Sequence, residues 1–228
     1  MAMSAEEIMA AKEKARASRG CDPEQLVNFY DSWAETYEKN VDSLNYQGPK
    51  LVAELISSHF SGNPAEARVL DVACGPGQFA ALMKERGFRM FSGVDYSEKM
   101  LKEAEKTGDY QSLEQAHLGT DPLPGDADSF DVVVLIGALN KHLVPFSVLR
   151  ELCKVTKPGG LICLTKTNYK NDDAVQLLAL EKELKQMEDE GLWTKVTVTK
   201  CDKYLRNAFV ENMLDDEFLC GYVWLFQK

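Results

Sequence analysis

The sequence has few of the residues that build metal or disulfide sites. Its 228 residues include three histidines and six cysteines, and no two cysteines form a C-x-x-C pair. Zinc sites need clustered Cys and His, and disulfide frameworks belong mainly to short secreted chains. A chain of this length can bury roughly 70% of its unfolded surface without such staples. We therefore predict no metal site and no disulfide framework.

A long apolar run and an excess of basic charge are also missing. The longest apolar run, Val132–Leu139, is far shorter than the roughly 20 residues that cross a bilayer. The first 20 residues carry charges throughout, unlike a signal peptide. Acidic side chains outnumber basic ones, 36 to 26, for a net charge of −10, whereas broad phosphate binding needs basic surface. We expect a cytoplasmic protein, with the nucleus left open, that binds neither membrane nor DNA.

From Arg68 onward, apolar runs alternate with helical patterns. Strands are predicted over Val69–Ala73, Met90–Val94, Phe130–Ile136 and Leu161–Thr165, with helices between them at 78–86, 97–107 and 145–156. This alternation predicts one α/β domain with a mainly parallel sheet that is covered on both faces. An acidic amphipathic helix follows over 172–190. Two late strands, Val196–Val198 and Tyr222–Phe226, predict an antiparallel edge.

The first 66 residues are predicted to be largely helical. Ser4 and Glu7 have the spacing of a capping box, so residues 1–22 form either a charged helix or a frayed tail. A second helix is predicted from Pro23, and a third follows Gly48-Pro49. The second helix has one aromatic face, with apolar residues at spacings of three and four: Leu26, Phe29, Tyr30, Trp33 and Tyr37.

A glycine loop closes the first predicted strand, in the segment Asp71–Gly77. Glycines allow a ligand to approach the backbone closely, and the following helix offers free N–H groups. Asp95 ends the next strand, where a carboxylate can accept both hydroxyls of a ribose. Together these features indicate an adenosine-type cofactor. The loop alone leaves a dinucleotide open, because the third glycine position is Ala80, which is permitted. Asp71 favours a cationic amino-acid moiety over a pyrophosphate.

Four segments form one ordered motif series: DVACGPG at 71–77, GVDYSEKML at 93–101, PLPGDADSFDVVV at 122–134 and LCKVTKPGGLICLT at 152–165. This series resembles that of the class I S-adenosylmethionine (SAM)-dependent methyltransferases. The resemblance implies a Rossmann-like α/β fold with a seven-stranded, mostly parallel sheet, an antiparallel last strand, helices on both faces and an N-terminal helical lid. We expect a single methyltransferase domain over 23–228 after the segment 1–22. Its parts are a lid at 23–66, a cofactor-binding core at 67–170 and a C-terminal helix with edge strands at 171–228.

The resemblance also implies roles for individual residues. Backbone groups of Ala73, Gly75 and Gly77, with the small Cys74 fitting in the same loop, would contact the methionine part of SAM. Asp95 would hold the ribose hydroxyls. The adenine would lie among Tyr96, Met100, Leu118 and Gly119, and the sulfonium would lie beside Ile136 and Gly137.

Aromatic residues of the lid complete the implied site. Tyr30, Trp33 and Tyr37 match the family pattern of a lid that crosses the cofactor, and Tyr46 lies in the following loop. Aromatic faces attract a sulfonium by cation–π interaction, worth roughly 0.5–2 kcal/mol each. Simple packing of a hydrophobic interface is the alternative for any one of these four residues.

No catalytic residue is assigned. Asp131, at the start of a strand, fits a structural partner better than a catalytic acid. Asn140, Lys141 and His142 follow the fourth predicted strand, and His142 is either a general base or a surface-loop histidine. The sequence lacks the Asn/Asp-Pro-Pro-aromatic run of adenine and glutamine N-methylation sites and the Pro-Cys nucleophile of cytosine methylation, which argues against DNA.

We therefore predict an enzyme that transfers the methyl group of SAM in line to an unidentified acceptor, leaving S-adenosylhomocysteine (SAH). A small molecule is favoured as acceptor over a protein or RNA, and we expect a monomer. The alternative is a catalytically silent SAM-binding protein that acts through a partner. A nicotinamide-dependent oxidoreductase is disfavoured because no Tyr-x-x-x-Lys pair follows the fourth predicted strand.

Overall fold

A seven-stranded sheet forms the centre of the computed structural model, which describes residues 3–18, 20–139, 143–169, 173–210, 212 and 215–228. The strands are β1 (Arg68–Val72), β2 (Met90–Asp95), β3 (Tyr110–Gln115), β4 (Phe130–Leu135), β5 (Thr156–Asn168), β6 (Thr194–Arg206) and β7 (Phe218–Gln227). Their order is β3-β2-β1-β4-β5-β7-β6. β7 runs antiparallel to both of its neighbours, β5 and β6, and the other strand pairs are parallel. This confirms the predicted mostly parallel sheet with an antiparallel last strand.

Eight α-helices surround the sheet among the described residues. They are α1 (Ala5–Arg16), α2 (Pro23–Trp33), α3 (Tyr37–Ser43), α4 (Gly48–His59), α5 (Gln78–Glu85), α6 (Glu98–Thr107), α7 (Val148–Val155) and α8 (Asp173–Asp189). Side chains on alternate strand positions point to opposite faces. Accordingly, Leu70 and Val72 pack in one core with α7 and α8, whereas Val69 packs in another with α4 and α5. Both faces are covered, as predicted.

The N-terminal segment is a helix rather than a frayed tail over the part that the structure describes. Ser4 accepts from the Glu7 backbone N–H and Glu7 accepts from the Ser4 N–H, so the predicted capping box is formed. Ala11 and Lys12 of α1 are buried. The Lys12 ammonium donates to the Asp215 carbonyl at 2.7 Å, which ties α1 to the segment before β7.

The aromatic helix predicted from Pro23 through Tyr37 is interrupted. A 3₁₀ turn at Ala34–Thr36 separates α2 from α3. The Trp33 indole N–H reaches past the turn to the Asn40 side chain at 2.6 Å. The turn keeps Tyr37 against Trp33, with ring centroids 4.9 Å apart. The predicted aromatic face is therefore continuous, although the helix that carries it is broken.

Two strands differ from the sequence prediction. β3 was not predicted from an apolar run, because it is an edge strand with four of its six residues exposed. β5 begins at Thr156, before the Lys157–Gly160 turn, and its pairing with β4 jumps from Thr156 to Leu161. Gly159 has a φ of +81° there, so the Lys157–Gly160 segment is a bulge within the strand.

Candidate active site

A cavity of about 420 Å³ lies at the carboxyl ends of the parallel strands. Open α/β sheets bind ligands at this edge, and the volume is in the usual range for ligand sites. Residues from the ends of β1, β2, β4 and β5 line it, together with residues of α1 to α3 and of the last two strands. Twelve of the predicted site residues line this cavity: Tyr30, Trp33, Tyr37, Tyr46, Ala73, Gly75, Asp95, Tyr96, Met100, Leu118, Ile136 and Gly137.

The glycine loop after β1 is fixed to the end of β2. The Gly75 N–H donates to the Asp95 carboxylate at 2.8 Å, and the Cys74 N–H donates to the Val94 carbonyl at 3.1 Å. Gly75 has a φ of +54°, and nothing lies within 4 Å of the position that a Cβ would occupy. Ala73 also adopts a left-handed conformation, with φ +59°, which is unfavourable for a residue with a side chain. The loop therefore presents backbone to open space in the cavity.

Asp95 connects the loop to the next helix. Its second carboxylate oxygen accepts from the Ser97 N–H at 2.9 Å. Burial raises the pKa of Asp95, and the N–H donors of Ser97 and Gly75 oppose that rise. A carboxylate has about four lone-pair sites, so Asp95 keeps capacity to accept from a ligand hydroxyl.

Beyond Asp95 the cavity is lined by Tyr96, Met100, His117 and Leu118, and we call this part of it the slot. The rings of Tyr96 and His117 meet edge to face with centroids 4.1 Å apart. Leu118 and Met100 also line the cavity and are buried. His117 was not predicted as a site residue, because a lone histidine after an exposed strand gives no sequence signal. The slot suits a planar heteroaromatic ring.

The aromatic residues of α2 and α3 close one side of the cavity. Tyr30 stacks on Trp33 at 6.2 Å between ring centroids. Burial raises the pKa of Tyr30 and of Tyr37 well above the usual value, so both hydroxyls are neutral. The Ser97 hydroxyl donates to the Asp31 carboxylate, which attaches α2 to the start of α6. We call Tyr30, Trp33 and Tyr37 the aromatic wall. It is thus held to the end of β2, which carries Asp95.

Tyr46 reaches the end of β4. A Cβ on Gly137, whose φ is +74°, would overlap the Tyr46 hydroxyl. The Gly137 N–H donates to the Thr165 hydroxyl at 2.8 Å, and the Tyr204 hydroxyl donates to the same oxygen at 2.8 Å. Tyr204, on β6, is fully buried and packs edge to face against Tyr46. This contact network fixes the backbone at the centre of the cavity.

Asp71 is placed differently from the sequence argument, which had it facing a cationic ligand group. It is only 1% exposed, and its carboxylate accepts from the Tyr110 hydroxyl at 2.8 Å below the loop. Burial raises the pKa of Asp71 to about 7, although the Tyr110 hydrogen bond lowers it. Its place under the loop makes Asp71 a support of the loop rather than part of the cavity wall.

Three other predicted site residues support loops instead of lining the cavity. Cys74 is 7% exposed, and burial raises the pKa of its thiol well above the usual value. Gly77 begins α5 with a φ of +103° and packs against the Tyr110 ring. Gly119 has a φ of +90°, and a Cβ there would overlap Pro145. A cofactor contact by these residues stays a prediction.

The far side of the cavity comes from residues that the sequence did not reveal. They lie at the end of β5, the end of β6, the start of β7 and the segment between the last two strands: Thr167, Tyr169, Leu205, Arg206, Phe209 and Leu219. These segments are distant in sequence and meet only because β7 pairs between β5 and β6. We call this set the far wall.

Of the candidate catalytic groups, Asn140, Lys141 and His142 lie outside the described residues. Asp131 has the structural role expected of it. Its carboxylate accepts from the Arg68 N–H at 2.8 Å and from the Lys157 ammonium at 2.8 Å. Within the described ranges, no group of three or more His, Cys, Asp or Glu could hold a metal, and no helix is long and apolar enough to cross a membrane.

Comparisons with known proteins agree with this geometry. A methyltransferase domain family matches residues 70–164. The chain is 40% identical to human methyltransferase-like protein 27, over 84% of this chain and 78% of that protein. It is 30% identical to a demethylmenaquinone methyltransferase of Clavibacter sepedonicus, over 65% of this chain and 60% of that protein.

The fold is shared with solved structures. One is geranyl diphosphate C-methyltransferase from Streptomyces coelicolor A3(2), in complex with Mg²⁺, geranyl diphosphate and SAH, with a TM-score of 0.58 and 16% identity, over 84% of this chain and 85% of that one. The family match and the 40% identity to a methyltransferase-like protein show the family. The chain belongs to the class I SAM-dependent methyltransferases.

Proposed function

We propose that the chain binds SAM in the cavity described above and transfers its methyl group to a small molecule. The observation that carries this proposal is the convergence of the Gly75 backbone, the Asp95 carboxylate and the aromatic wall on one cavity. A loop backbone open to the cavity, a carboxylate that can accept from a hydroxyl and a slot lined by aromatic and apolar side chains suit the three parts of this cofactor.

The cofactor-side residues have distinct proposed roles. Asp95 accepts from the ribose hydroxyls, and Tyr96, Met100 and Leu118 surround the adenine. Backbone groups of Ala73 and Gly75 bind the amino-acid end. Cys74, Gly77 and Gly119 give the two loops their shape, as their buried positions and left-handed glycines support.

The aromatic residues attract a cationic ligand group and exclude water from the cavity. Tyr30, Trp33, Tyr37 and Tyr46 offer neutral, electron-rich rings to a cation, each contributing roughly 0.5–2 kcal/mol. Trp33 is 5% exposed and lies in a cluster with Phe29 and Val41. The same rings exclude water, which strengthens electrostatic attraction in the cavity.

The chemistry needs little from a dedicated catalytic group. When bound, SAM supplies a methyl group on a sulfonium: an acceptor lone pair forms the new bond to the methyl carbon, the C–S bond breaks, its electron pair returns to sulfur to give SAH, and the acceptor proton passes to water. The chain's part is to hold the reactants in line at Ile136 and Gly137, because orientation alone can supply several kcal/mol. The fixed backbone of Gly137 supports this role.

The volume and the lining of the cavity favour a small acceptor. Rings of α2 and α3 line one side of this cavity of about 420 Å³, and the far wall lines the other. The lining is mainly apolar, with rings from Tyr169 and Phe209 edge to face at 5.9 Å. We also propose that the enzyme acts as a monomer in the cytoplasm. Sedimentation of the pure protein tests the first point, and imaging of the tagged full chain tests the second.

Calorimetry with SAH tests the proposal. Asp95→Asn should weaken SAH binding by about tenfold to a hundredfold, because hydrogen bonds to a charged group are lost. Asp189→Asn is the matched control, since Asp189 is exposed on α8 and pairs with Lys185. No SAH binding by the wild type would refute the proposal.

Label transfer separates an enzyme from a silent binder. Wild-type protein is incubated with methyl-labelled SAM and a cell extract, and label is followed into small molecules and into macromolecules. Transfer that Asp95→Asn reduces supports the enzyme. SAH binding without any transfer, to small molecules or to macromolecules, would instead support a SAM-binding protein that acts through a partner.

A further inference from the structure

The far wall lies well away from the proposed adenosine site. β2, which carries Asp95, and β6, which ends at Arg206, are five strand steps apart in the sheet. At about 4.8 Å per step, this separation is on the order of 24 Å. Gly137, at the end of β4, lies between them. A molecule that meets the methyl group from the side opposite the adenosine therefore contacts the far wall.

Arg206 is the one Lys or Arg among the described residues that line the cavity. Its side chain is 17% exposed. One guanidinium nitrogen pairs with Asp216, and the guanidinium carbon lies 4.9 Å from the Phe218 ring. Its Nε is buried and makes no hydrogen bond to any described residue. Asp216 occupies only part of the five N–H donors of the guanidinium, so the side chain that lines the cavity keeps donors for a ligand oxygen.

Charges around Arg206 are arranged with cations inside and anions outside. Lys12 is 1% exposed and lies within electrostatic range of Arg206 and Arg16. Asp215 and Asp216 are exposed. Solvent screens exposed charges more strongly than buried ones. The charge of Arg206 is therefore less screened by solvent than the charges of Asp215 and Asp216.

The backbone near Arg206 is also held in place. The Arg206 N–H donates to the Leu44 carbonyl at 2.7 Å. The Arg16 guanidinium of α1 donates to the Ala208 carbonyl at 2.8 Å and also to the Val210 carbonyl. Since α1 and α3 brace the end of β6 in this way, Arg206 is presented by a fixed element rather than by a loose loop.

We propose that Arg206 determines acceptor specificity by binding an oxyanion, a carboxylate or a phosphate, of a small acceptor. The apolar part of that acceptor lies against Tyr169 and Phe209. This inference rests on the proposed function, since it names the acceptor class of the same cavity. Arginine suits this role because its planar fork can serve Asp216 and a ligand oxygen at the same time.

The test uses three probes of similar shape: phenylacetate, phenyl phosphate and the uncharged phenylacetamide. Each is titrated into the SAH-saturated wild type, Arg206→Met, Arg206→Lys and Lys203→Met. Lys203 is the matched control, because it is exposed on the same strand and lies over the same Phe218 ring, 5.4 Å from its centroid, but does not line the cavity. Thermal unfolding and SAH affinity of each variant show whether it is folded.

We expect the wild type and Lys203→Met to bind at least one anion about tenfold to a hundredfold more tightly than the amide. Arg206→Met should lose this preference, and Arg206→Lys should keep only part of it. The two anions separate carboxylate from phosphate acceptors. Equal binding of anion and amide, no anion binding at millimolar concentration, or a preference that survives in folded Arg206→Met would each overturn the proposal.

Failure of the proposed function has a different signature. If the wild type does not bind SAH, the cofactor assignment fails. The same titrations on the ligand-free proteins then still decide whether Arg206 selects an oxyanion.

Discussion

Replacing Asp71 with Asn removes a carboxyl group that the fold holds under the glycine loop at 1% exposure. Burial raises its pKa in the folded protein to about 7, whereas the unfolded chain has a pKa of about 4 at this residue. Between these values the folded protein keeps a proton that the unfolded chain has released. The free energy of unfolding therefore falls as the pH rises through this window.

The magnitude follows from the pKa difference. About three pKa units, at about 1.4 kcal/mol each, give a loss of about 4 kcal/mol over the whole window. About 3 kcal/mol of this loss falls between pH 5 and pH 8. Asp71→Asn keeps an oxygen for the Tyr110 hydroxyl, and its unmet amide N–H adds a cost that does not depend on pH.

Urea unfolding of the ligand-free proteins, followed by fluorescence at steps from pH 5 to pH 8, measures the effect. The quantity of interest is the free energy of unfolding of the wild type minus that of Asp71→Asn, because other titrating groups cancel in it. We expect this difference to decline as the pH rises. Tyr110→Phe removes the hydrogen bond that lowers the pKa of Asp71. The free energy of unfolding of Tyr110→Phe, minus that of Asp71→Asn, should therefore decline over a range that extends to higher pH. A difference that stays flat would refute the buried, protonated state of Asp71.

Three further predictions concern both ends of the parallel strands. Gly137→Ala should weaken SAH binding by about tenfold, measured by calorimetry, because its Cβ would displace the Tyr46 hydroxyl; unchanged affinity would contradict a role for this backbone. Ala73→Gly should raise the melting temperature by about 1–4 °C. Relief of the left-handed strain at φ +59° should outweigh the larger conformational entropy of the unfolded chain by about 0.5–1 kcal/mol. A lower melting temperature would count against that strain. Asp131→Ala should lower the melting temperature by about 2–4 °C through loss of its bonds to Lys157 and the strand backbone, and should leave SAH affinity unchanged; a large loss of affinity would assign it to the site.

Much of the fold could be predicted because its signals are local. The four apolar runs, the glycine loop and Asp95 lie within one stretch of sequence, and parallel strands bring their carboxyl ends to one edge. β3 was missed because an edge strand with mostly exposed residues carries no apolar pattern. The break after Trp33 was missed because the helical spacing of aromatic residues continues across the 3₁₀ turn.

The candidate site also contains residues that the sequence predicts and residues that it does not. Ala73, Gly75 and Asp95 could be predicted from spacing and resemblance. Arg206 and Phe209 could not, since they reach the cavity only through the pairing of β7 between β5 and β6. Asp71 was placed wrongly because sequence shows that an acid is present but not which way its side chain points.

The position of β6 at the end of the sheet affects the solubility of the protein. Its 13 residues, Thr194–Arg206, form one of the two edges of the sheet, with Val196 and Val198 about 40% exposed. Such an edge is a template for pairing with another chain, and lysines along it oppose that pairing. Lys195, Lys200 and Lys203 are exposed on this strand. Because the Debye length falls from about 10 Å at 0.1 M salt to about 3 Å at 1 M, concentrated salt weakens the repulsion that keeps two such edges apart.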